Sequence, residues 1–287
     1  MKDKHKSDHK RKRVRIVLFA VLISFASIFC FLELGVVYTA NTWEHFSPKY
    51  EKTDVTAVLA KEELSEEDYY LLYRQTGLTQ IAIDELRAKN LYGKILEIQD
   101  FFFSDYKIRK NHFNVFTYQE ELQNAYAPMT LVQDGDIVVT GTTRVSWLRY
   151  GHAALVIDGQ NRTILESVGV GTKSEINPIE CLSMMANFII LRPKVAAEIK
   201  NEVVSFAKDN LVGVPYRLTV GLFFKKYNAT KIEKTQCAHL VWYVYKKYGI
   251  DLDSNGGWLV KPQDIANSPH VEVVQVFGFD LDRLWSL

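Results

Sequence analysis

Residues 151–167 read GHAALVIDGQNRTILES, two apolar runs joined by a polar, glycine-containing turn. The first run, Ala153 to Ile157, has the composition of a β-strand, and the second returns from Thr163 to Ser167. The residues between them, Asp158-Gly159-Gln160-Asn161, are typical of a hairpin turn. This stretch therefore predicts two adjacent antiparallel strands.

The segments on either side of this hairpin extend the pattern to a mixed domain. An Asp-Gly-Asp turn signal precedes another apolar strand, Ile137 to Thr140. After the hairpin a strand, two helices and a final strand follow: Phe188–Leu191, Val195–Leu211, Cys237–Tyr248 and Val271–Phe277. This order predicts an α+β domain over residues 125–287.

Two residues of this domain have the types and positions that nucleophilic catalysis requires. Cys237 begins a predicted helix, where the partial positive charge of the unpaired amides favours a thiolate. His152 begins a predicted strand, and an imidazole next to a thiol completes its activation and later protonates the leaving group. The backbone amide of Cys237 is suited to stabilise an oxyanion. The sequence thus predicts Cys237 as nucleophile and His152 as its base.

A catalytic imidazole needs an acceptor that orients its second nitrogen, and Glu166 is the candidate. The hairpin turn at Gly159 predicts pairing between residues whose numbers sum to about 318. That register sets Glu166 opposite His152 on the neighbouring strand, within reach of its side chain. We therefore expect Cys237, His152 and Glu166 to form a triad.

The motifs that carry these residues resemble the circularly permuted NlpC-type hydrolases, papain-like cysteine hydrolases of the YiiX/YebB type. The matching segments occur in the family's order, with the histidine before the cysteine: Gly135–Val138, Gly151-His152, Leu165–Ser167, Gln236–Trp242, Tyr248–Leu252 and Lys261–Ile265. The resemblance covers residues 130–280. Two positions depart from it. Ala238-His239 stands where a small hydroxyl residue and an acidic residue are commoner, and Gln236 replaces a frequent aromatic residue.

The resemblance implies a papain-like antiparallel sheet packed on helices, and hydrolysis of an amide or ester through a thioester acyl-enzyme. It also implies substrate-binding residues. Tyr216 is similar to a family tyrosine near the substrate site, and Gln236 stands beside the nucleophile where the family often has an aromatic residue. No cofactor is expected. A zinc site built from Cys237, His239 and His152 lacks the usual paired-ligand spacing.

The N-terminus predicts a membrane anchor. Residues 1–13 form a basic tail, and residues 14–38 are mostly apolar, with an uncharged run from Ile16 to Leu32 before Glu33, over a length that crosses a bilayer. The basic tail favours an N-terminus in the cytoplasm and places the rest outside. The alternative is a cleaved signal peptide, but the apolar core is long and Tyr38 disfavours a cleavage site. Beyond residue 15 the chain has 27 basic and 32 acidic residues, which gives no reason to expect nucleic acid as a partner.

The segment between the anchor and the domain predicts a linker at 39–60 and a helical accessory segment at 61–124. Ser65 and Asp68 form a capping pattern for a helix that ends near Gly77. Thr79 is a candidate cap for a second helix, which Gly93 separates from the apolar stretch Ile95 to Phe103. Cys181, outside this segment, is expected in the core and not in a disulfide with Cys237.

The sequence is compatible with three functions. The leading one is a membrane-anchored, extracytoplasmic cysteine hydrolase that cleaves amide bonds of cell-wall peptides, since relatives of the resembling family act on such peptides. The runner-up is a lipid-directed acyl hydrolase or acyltransferase of the same fold, the activity of more distant permuted relatives. The third is a catalytically inactive module that binds the cell envelope.

Overall fold

The computed structural model describes residues 2–42, 46–114, 117–145 and 148–284. The chain divides into two compact units, one made of residues 1–44 with 145–148 and the other of the remainder. The larger unit contains both helices and antiparallel sheets, so the predicted α+β class is confirmed at that level.

The N-terminal unit consists mainly of one helix, α1 (Lys2–Thr42). Its segment Arg11–Leu32 has a mean hydropathy of 2.5. At 1.5 Å per residue these 22 residues extend about 33 Å, which is enough to cross the hydrocarbon core of a bilayer. Apolar side chains such as Phe19 and Phe25 are exposed on this helix.

Four helices open the larger unit: α2 (Thr56–Leu59), α3 (Glu66–Thr76), α4 (Gln80–Ala88) and α5 (Tyr92–Phe102). The ends of α3 are those that the sequence predicted. Ser65 and Asp68 form a reciprocal capping box, and Gly77 ends the helix with a φ of 71°. Thr79 does not cap α4 through its side chain; its hydroxyl donates to the carbonyl oxygen of Val273 at 2.8 Å.

Two details of the predicted accessory segment are wrong. Gly93 lies inside α5 and does not separate two elements. The described residues 105–114 and 117–124 are not helical, because they contain the hairpin of β1 (Ile108–His112) and β2 (Thr117–Leu122). The sequence of β2 does not show the alternating apolar pattern of a strand, because two of its buried residues are acidic. Glu121 accepts a hydrogen bond from Arg109, and Glu120 accepts one from Arg144. Two short strands, β4 (Thr143–Val145) and β5 (Leu148–Arg149), complete this sheet in the order β1-β2-β4-β5.

The second sheet has six strands, all antiparallel, in the order β10-β9-β3-β6-β7-β8. Its strands are β3 (Ile137–Thr140), β6 (His152–Asp158), β7 (Thr163–Glu166), β8 (Glu175–Pro178), β9 (Phe188–Pro193) and β10 (Val271–Phe277). The remaining helices are α6 (Glu180–Ser183), α7 (Ala197–Asn210), α8 (Cys237–Lys247) and α9 (Pro262–Ala266).

The helix that begins at Cys237 packs on the strand that begins at His152. Residues 153–157 of β6 are buried, and every residue of α8 from Cys237 to Tyr245 is buried as well. Burial on both faces fixes the position of each element relative to the other. The packing of α8 on β6 therefore fixes the position of Cys237 relative to His152.

The first helices share this core with the six-stranded sheet. Leu72, Ile83 and Ile95 belong to the same cluster of buried residues as the sheet. Leu78, between α3 and α4, forms a β-bridge with Gln275 of β10. Residues on both sides of the predicted boundary at 125 thus belong to one compact unit.

Candidate active site

His152 is positioned by a close backbone approach at the start of β6. Gly151 has a φ of 76°, and a Cβ at this position would overlap with the carbonyl oxygen of Thr140 on β3. Only glycine fits both conditions. His152 then pairs with Thr140 across the two strands. The glycine therefore lets the chain enter β6 with the imidazole at the end of the sheet.

Glu166 on β7 holds the imidazole. Its Oε2 lies 2.6 Å from Nε2 of His152, the separation of a strong charge-assisted hydrogen bond. The predicted register is wrong by two residues, since Glu166 pairs with Ala154 and a bulge interrupts the ladder near Asp158. A shift of two residues keeps a side chain on the same face of the sheet, so the diagonal pair still meets.

The second carboxylate oxygen of Glu166 is also occupied. Its Oε1 accepts a hydrogen bond from Nδ2 of Asn177 on β8 at 2.8 Å and lies 3.6 Å from Sγ of Cys181. Burial raises the pKa of Glu166, but the bonds from His152 and Asn177 outweigh it and leave the pKa below its usual value. Glu166 is thus an ionised carboxylate that its neighbours fix in place.

Cys181 was expected in the core, and the structure places it at half-buried depth beside Glu166. Burial and the negative charge of Glu166 both raise the pKa of its thiol above the ordinary value. The same carboxylate therefore favours a proton on His152 and disfavours a thiolate on Cys181. All three cysteines, Cys30, Cys181 and Cys237, are free in this structure.

Cys237 is the first residue of α8 and is 3% exposed. Gln236 caps the helix: its Oε1 accepts from the amide of Ala238 at 3.0 Å and from Sγ of Cys237 at 3.2 Å, and its Nε2 donates to the carbonyl of Val260 at 2.6 Å. Gln236 is fully buried. In this structure its amide therefore positions the helix start and the thiol, which differs from the substrate contact predicted for it.

The charge state of His152 follows from its two partners. Burial alone lowers the pKa of the imidazole, but hydrogen bonds to the Cys237 thiol and to Glu166 raise it to about 10. Nε2 faces Glu166, which leaves Nδ1 for the sulfur. A protonated imidazole beside a sulfur atom stabilises negative charge on that atom. His152 is thus placed to receive the proton of the Cys237 thiol when the sulfur attacks a substrate.

Two tyrosines lie close enough to Cys237 to sense its charge. Burial and the charge of Cys237 raise the pKa of Tyr216 and of Tyr150 above the ordinary value. Tyr216 was predicted near the substrate, and its amide donates to the carbonyl of Thr172 at 2.9 Å. Tyr150 was missed. Within the part of the chain that the structure describes, its buried hydroxyl has no hydrogen-bond partner.

His239 lies apart from this chemistry although it is only two residues from Cys237. Its Nδ1 is 2.9 Å from the Thr235 hydroxyl, and its Nε2 is 2.6 Å from the carbonyl oxygen of Lys226. Burial lowers its pKa to about 4, so the ring is neutral at pH 7. Among residues 2–42, 46–114, 117–145 and 148–284, no group of three or more His, Cys, Asp or Glu is placed to hold a metal ion.

The arrangement can therefore supply a nucleophile, a base and an orienting carboxylate from α8, β6 and β7. No family model, curated protein or solved structure matches this chain. The chemistry of the site rests on the geometry of its own residues.

Proposed function

We propose that this protein is a cysteine hydrolase in which Cys237 attacks a carbonyl carbon of the substrate. The observation that carries the proposal is the contact series from Cys237 to His152 to Glu166, with 2.6 Å between the last two side chains. A thiol at a helix start, an imidazole and a buried carboxylate are the three parts that such a mechanism uses.

The first half of the reaction forms a thioester. The sulfur of Cys237 attacks the carbonyl carbon, while the proton of the thiol resides on His152. The carbonyl oxygen gains negative charge, and the amide of Cys237 at the start of α8 is placed to donate to it. The C–N or C–O bond of the substrate then breaks, and His152 delivers its proton to the leaving nitrogen or oxygen.

The second half of the reaction releases the acyl group. His152, now neutral, takes a proton from a water molecule, and the resulting hydroxide attacks the thioester carbon. The carbon–sulfur bond breaks, and the sulfur leaves as the thiolate beside the imidazolium. Glu166 holds the ring through both halves and stabilises its positive charge. These steps use no cofactor.

We further propose that the fold is papain-like and circularly permuted. Papain-like enzymes place the cysteine at the start of a helix that packs on the sheet bearing the histidine, and α8 packs on β6 in this manner. The histidine precedes the cysteine in sequence, as in the NlpC-type hydrolases that the motifs resemble. This order supports the assignment to the YiiX/YebB type.

The substrate class follows from the proposed location. We propose that α1 is an uncleaved anchor with residues 1–13 in the cytoplasm and the domain outside. An extracytoplasmic hydrolase tethered to the membrane has the peptides of the cell wall within reach. The proposed reaction is therefore cleavage of an amide bond in such a peptide.

A second candidate is a lipid-directed acyl hydrolase or acyltransferase. It is favoured by the exposed apolar side chains of Phe223 and Trp258, which lie in two contacting loops, one of which follows Tyr216 in sequence. The same thioester chemistry applies to an acyl ester, with water or another acceptor in the second half. The third candidate, a module that binds the cell envelope without catalysis, predicts binding without turnover.

A paired assay separates these functions. The full chain in detergent micelles is incubated with muropeptides and, separately, with phospholipids labelled in the acyl chain, and products are followed by mass spectrometry. We expect cleavage of muropeptides that is lost in Cys237→Ala. Cleavage of lipid alone would replace the leading function with the second, and turnover of neither would favour the third.

The proposed topology has its own test. Protease added to intact cells should digest the domain and leave a short N-terminal fragment. Full-length protein that resists digestion until the cells are lysed would contradict the outward orientation. A mature chain that begins after residue 38 would show a cleaved signal peptide in place of an anchor.

A further inference from the structure

The segment between Tyr216 and Thr235 is a long surface loop whose two ends meet. The amide of Arg217 donates to the carbonyl of Thr235 at 2.6 Å, and Tyr216 and Thr235 form a β-bridge. Cys237 follows two residues later. The loop, residues 217–234, is therefore attached to the body at the edge of the candidate active site.

The tip of this loop exposes large apolar side chains. Phe223 is 81% exposed, and Leu222 and Phe224 on either side of it are also exposed. Trp258, from a different loop, is 75% exposed. The two loops are in contact, because a Cβ at Gly221 would overlap with the carbonyl oxygen of Trp258. We call Leu222, Phe223, Phe224 and Trp258 the apolar patch.

The apolar patch is surrounded by positive charge. The loop contains five basic residues and one acidic residue, although the chain beyond residue 15 has more acidic than basic residues. Lys226 is neutralised by Asp253. Arg217 and Lys234 lie over the ring of Phe224, with 5.3 and 4.4 Å between their charged groups and the ring centroid. Lys225 and Lys231 are exposed.

We propose that the apolar patch and its surrounding cations dock on the surface of an anionic lipid bilayer. Aromatic rings and a leucine next to exposed lysine and arginine are the side chains that bind a bilayer interface, since the rings enter the headgroup region while the cations meet lipid phosphates. A polyanionic polymer in water would match the charge. It would leave Leu222 and Phe223 without an apolar partner, so the lipid surface fits the whole set better.

Docking has a consequence for the candidate active site. The loop is joined to the body at Thr235, and the cap of α8 follows at once. A bilayer that holds the apolar patch therefore also holds Tyr216 and the start of α8 close to the membrane surface. The docking does not depend on catalysis, and Cys237→Ala should dock as well as the unmodified chain. Failure of the docking proposal can therefore be distinguished from failure of the proposed hydrolysis.

The test is hydrogen exchange of the full chain in nanodiscs, measured by mass spectrometry. One set of nanodiscs contains phosphatidylcholine alone, and the other includes phosphatidylglycerol as a third of the lipid. We expect peptides from residues 217–234 to exchange several-fold more slowly in the anionic nanodiscs. Peptides from α3 should exchange equally in both. High salt should reduce the difference, because it screens the charges of the exposed lysines.

Substitutions assign the effect to the patch. In the double variant Phe223→Ser, Trp258→Ser, peptides from residues 217–234 should no longer exchange more slowly in nanodiscs. In the double variant Lys225→Glu, Lys231→Glu, the exchange of these peptides should no longer depend on phosphatidylglycerol. Tyr70→Ser is the matched control, since Tyr70 is similarly exposed but lies on α3. Equal exchange in both nanodiscs, or unchanged protection in the double variant, would overturn the proposal. Equal protection by dextran sulfate in phosphatidylcholine nanodiscs would identify a polyanion site in place of a bilayer site.

Discussion

The surroundings of His152 and of His239 give opposite ionisation to two histidines of the same unit. The pKa of His152 is raised to about 10, and that of His239 is lowered to about 4. Burial lowers the pKa of both rings. The difference arises because His152 contacts a carboxylate and a thiol, whereas His239 contacts a hydroxyl and a backbone carbonyl.

Partner charge, and not distance from Cys237 along the chain, therefore decides which of the two histidines is protonated at neutral pH. Neutral partners satisfy the hydrogen bonds of a buried ring but do not offset the loss of hydration of its charged form. Residues two apart on a helix also point to different sides, so His239 turns away from the thiol. His152 is distant in sequence, and the sheet brings it to the start of α8.

The largest expected effect tests whether the two histidines differ in function. His152→Ala and Cys237→Ala should each reduce turnover by about 10⁴-fold or more, because the nucleophile and its base act as one unit. His239→Gln should keep turnover within about tenfold of the unmodified chain, since the ring has no direct part in the reaction. Initial rates on the substrate found in the paired assay measure both. Equal loss in His239→Gln and His152→Ala would contradict the comparison.

The next effect concerns the charge that distinguishes the two sites. Glu166→Gln should reduce turnover by about 10²–10⁴-fold and leave measurable activity, because an amide still accepts from the ring but does not stabilise the imidazolium. In the unmodified chain, activity should fall as pH rises through about 10, where His152 loses its proton.

The pH profile of Glu166→Gln is the sharper measurement. Removal of the negative charge lowers the pKa of His152, so the alkaline decline should move to lower pH. Asn177→Ala serves as the control, since it removes a bond to the same carboxylate without removing the charge. An alkaline decline that stays in place in Glu166→Gln would show that Glu166 does not set the charge of His152.

The contact between His152 and Glu166 could be predicted from the sequence even though the register could not. The hairpin turn limits the pairing to a few alternatives, and a shift of two residues leaves Glu166 on the face that His152 occupies. The shift arises because the turn places residues 159–162 between the paired residues Asp158 and Thr163, and the bulge near Asp158 then changes the register by one residue. The same logic holds for α3, where a capping box and a terminal glycine fix both ends locally.

The features that were missed depend on contacts between distant segments. Strand β2 contains two adjacent glutamates that look solvent-exposed in sequence, but Arg109 of β1 pairs with Glu121 and Arg144 of β4 pairs with Glu120. Asn177 reaches Glu166 only because β8 adds to the edge of β7. Tyr150 directly precedes Gly151-His152, and that proximity was a signal that could have identified it. The unpartnered state of its hydroxyl is visible only after folding.

The two histidines should also give opposite dependences of stability on pH. Stability rises with pH wherever the unfolded state binds more protons. For His239 this holds between its folded pKa of about 4 and its unfolded pKa of 6.5, so its contribution is lost as pH falls through this range, by ~3 kcal/mol. For His152 the folded pKa is the higher one, so its contribution is present below pH 6.5 and is lost as pH rises towards 10.

Urea unfolding of the full chain in mild detergent, repeated from pH 4 to pH 10, measures these contributions. The curve of His239→Gln should be flatter than that of the unmodified chain on the acid side only. The curve of His152→Gln should be flatter on the alkaline side, and its acid side should also change, because Glu166 loses the partner that lowers its pKa. Carboxylates that contact neither histidine titrate alike in all three proteins, so their contribution cancels in the differences. Parallel curves for all three proteins would show that neither ring changes its pKa on folding.

The smallest expected effect compares two thiols that share the same neighbourhood. At neutral pH, iodoacetamide should modify Cys237 at least about ten times faster than Cys181, because the thiolate is the reactive form and Glu166 opposes a thiolate on Cys181. Removal of that charge in Glu166→Gln should raise the rate at Cys181 and lower the rate at Cys237, where the imidazolium is then less stable. Mass spectrometry of peptides from timed reactions gives both rates in one sample.

Cys181→Ala is the control and should keep full turnover with a loss of stability of ~1 kcal/mol. If Cys181 takes the label first and Cys237→Ala retains turnover, Cys237 is not the nucleophile. If Glu166→Gln changes both rates in the same direction, a change of access and not of charge controls them, and the electrostatic difference between the histidine sites loses its support.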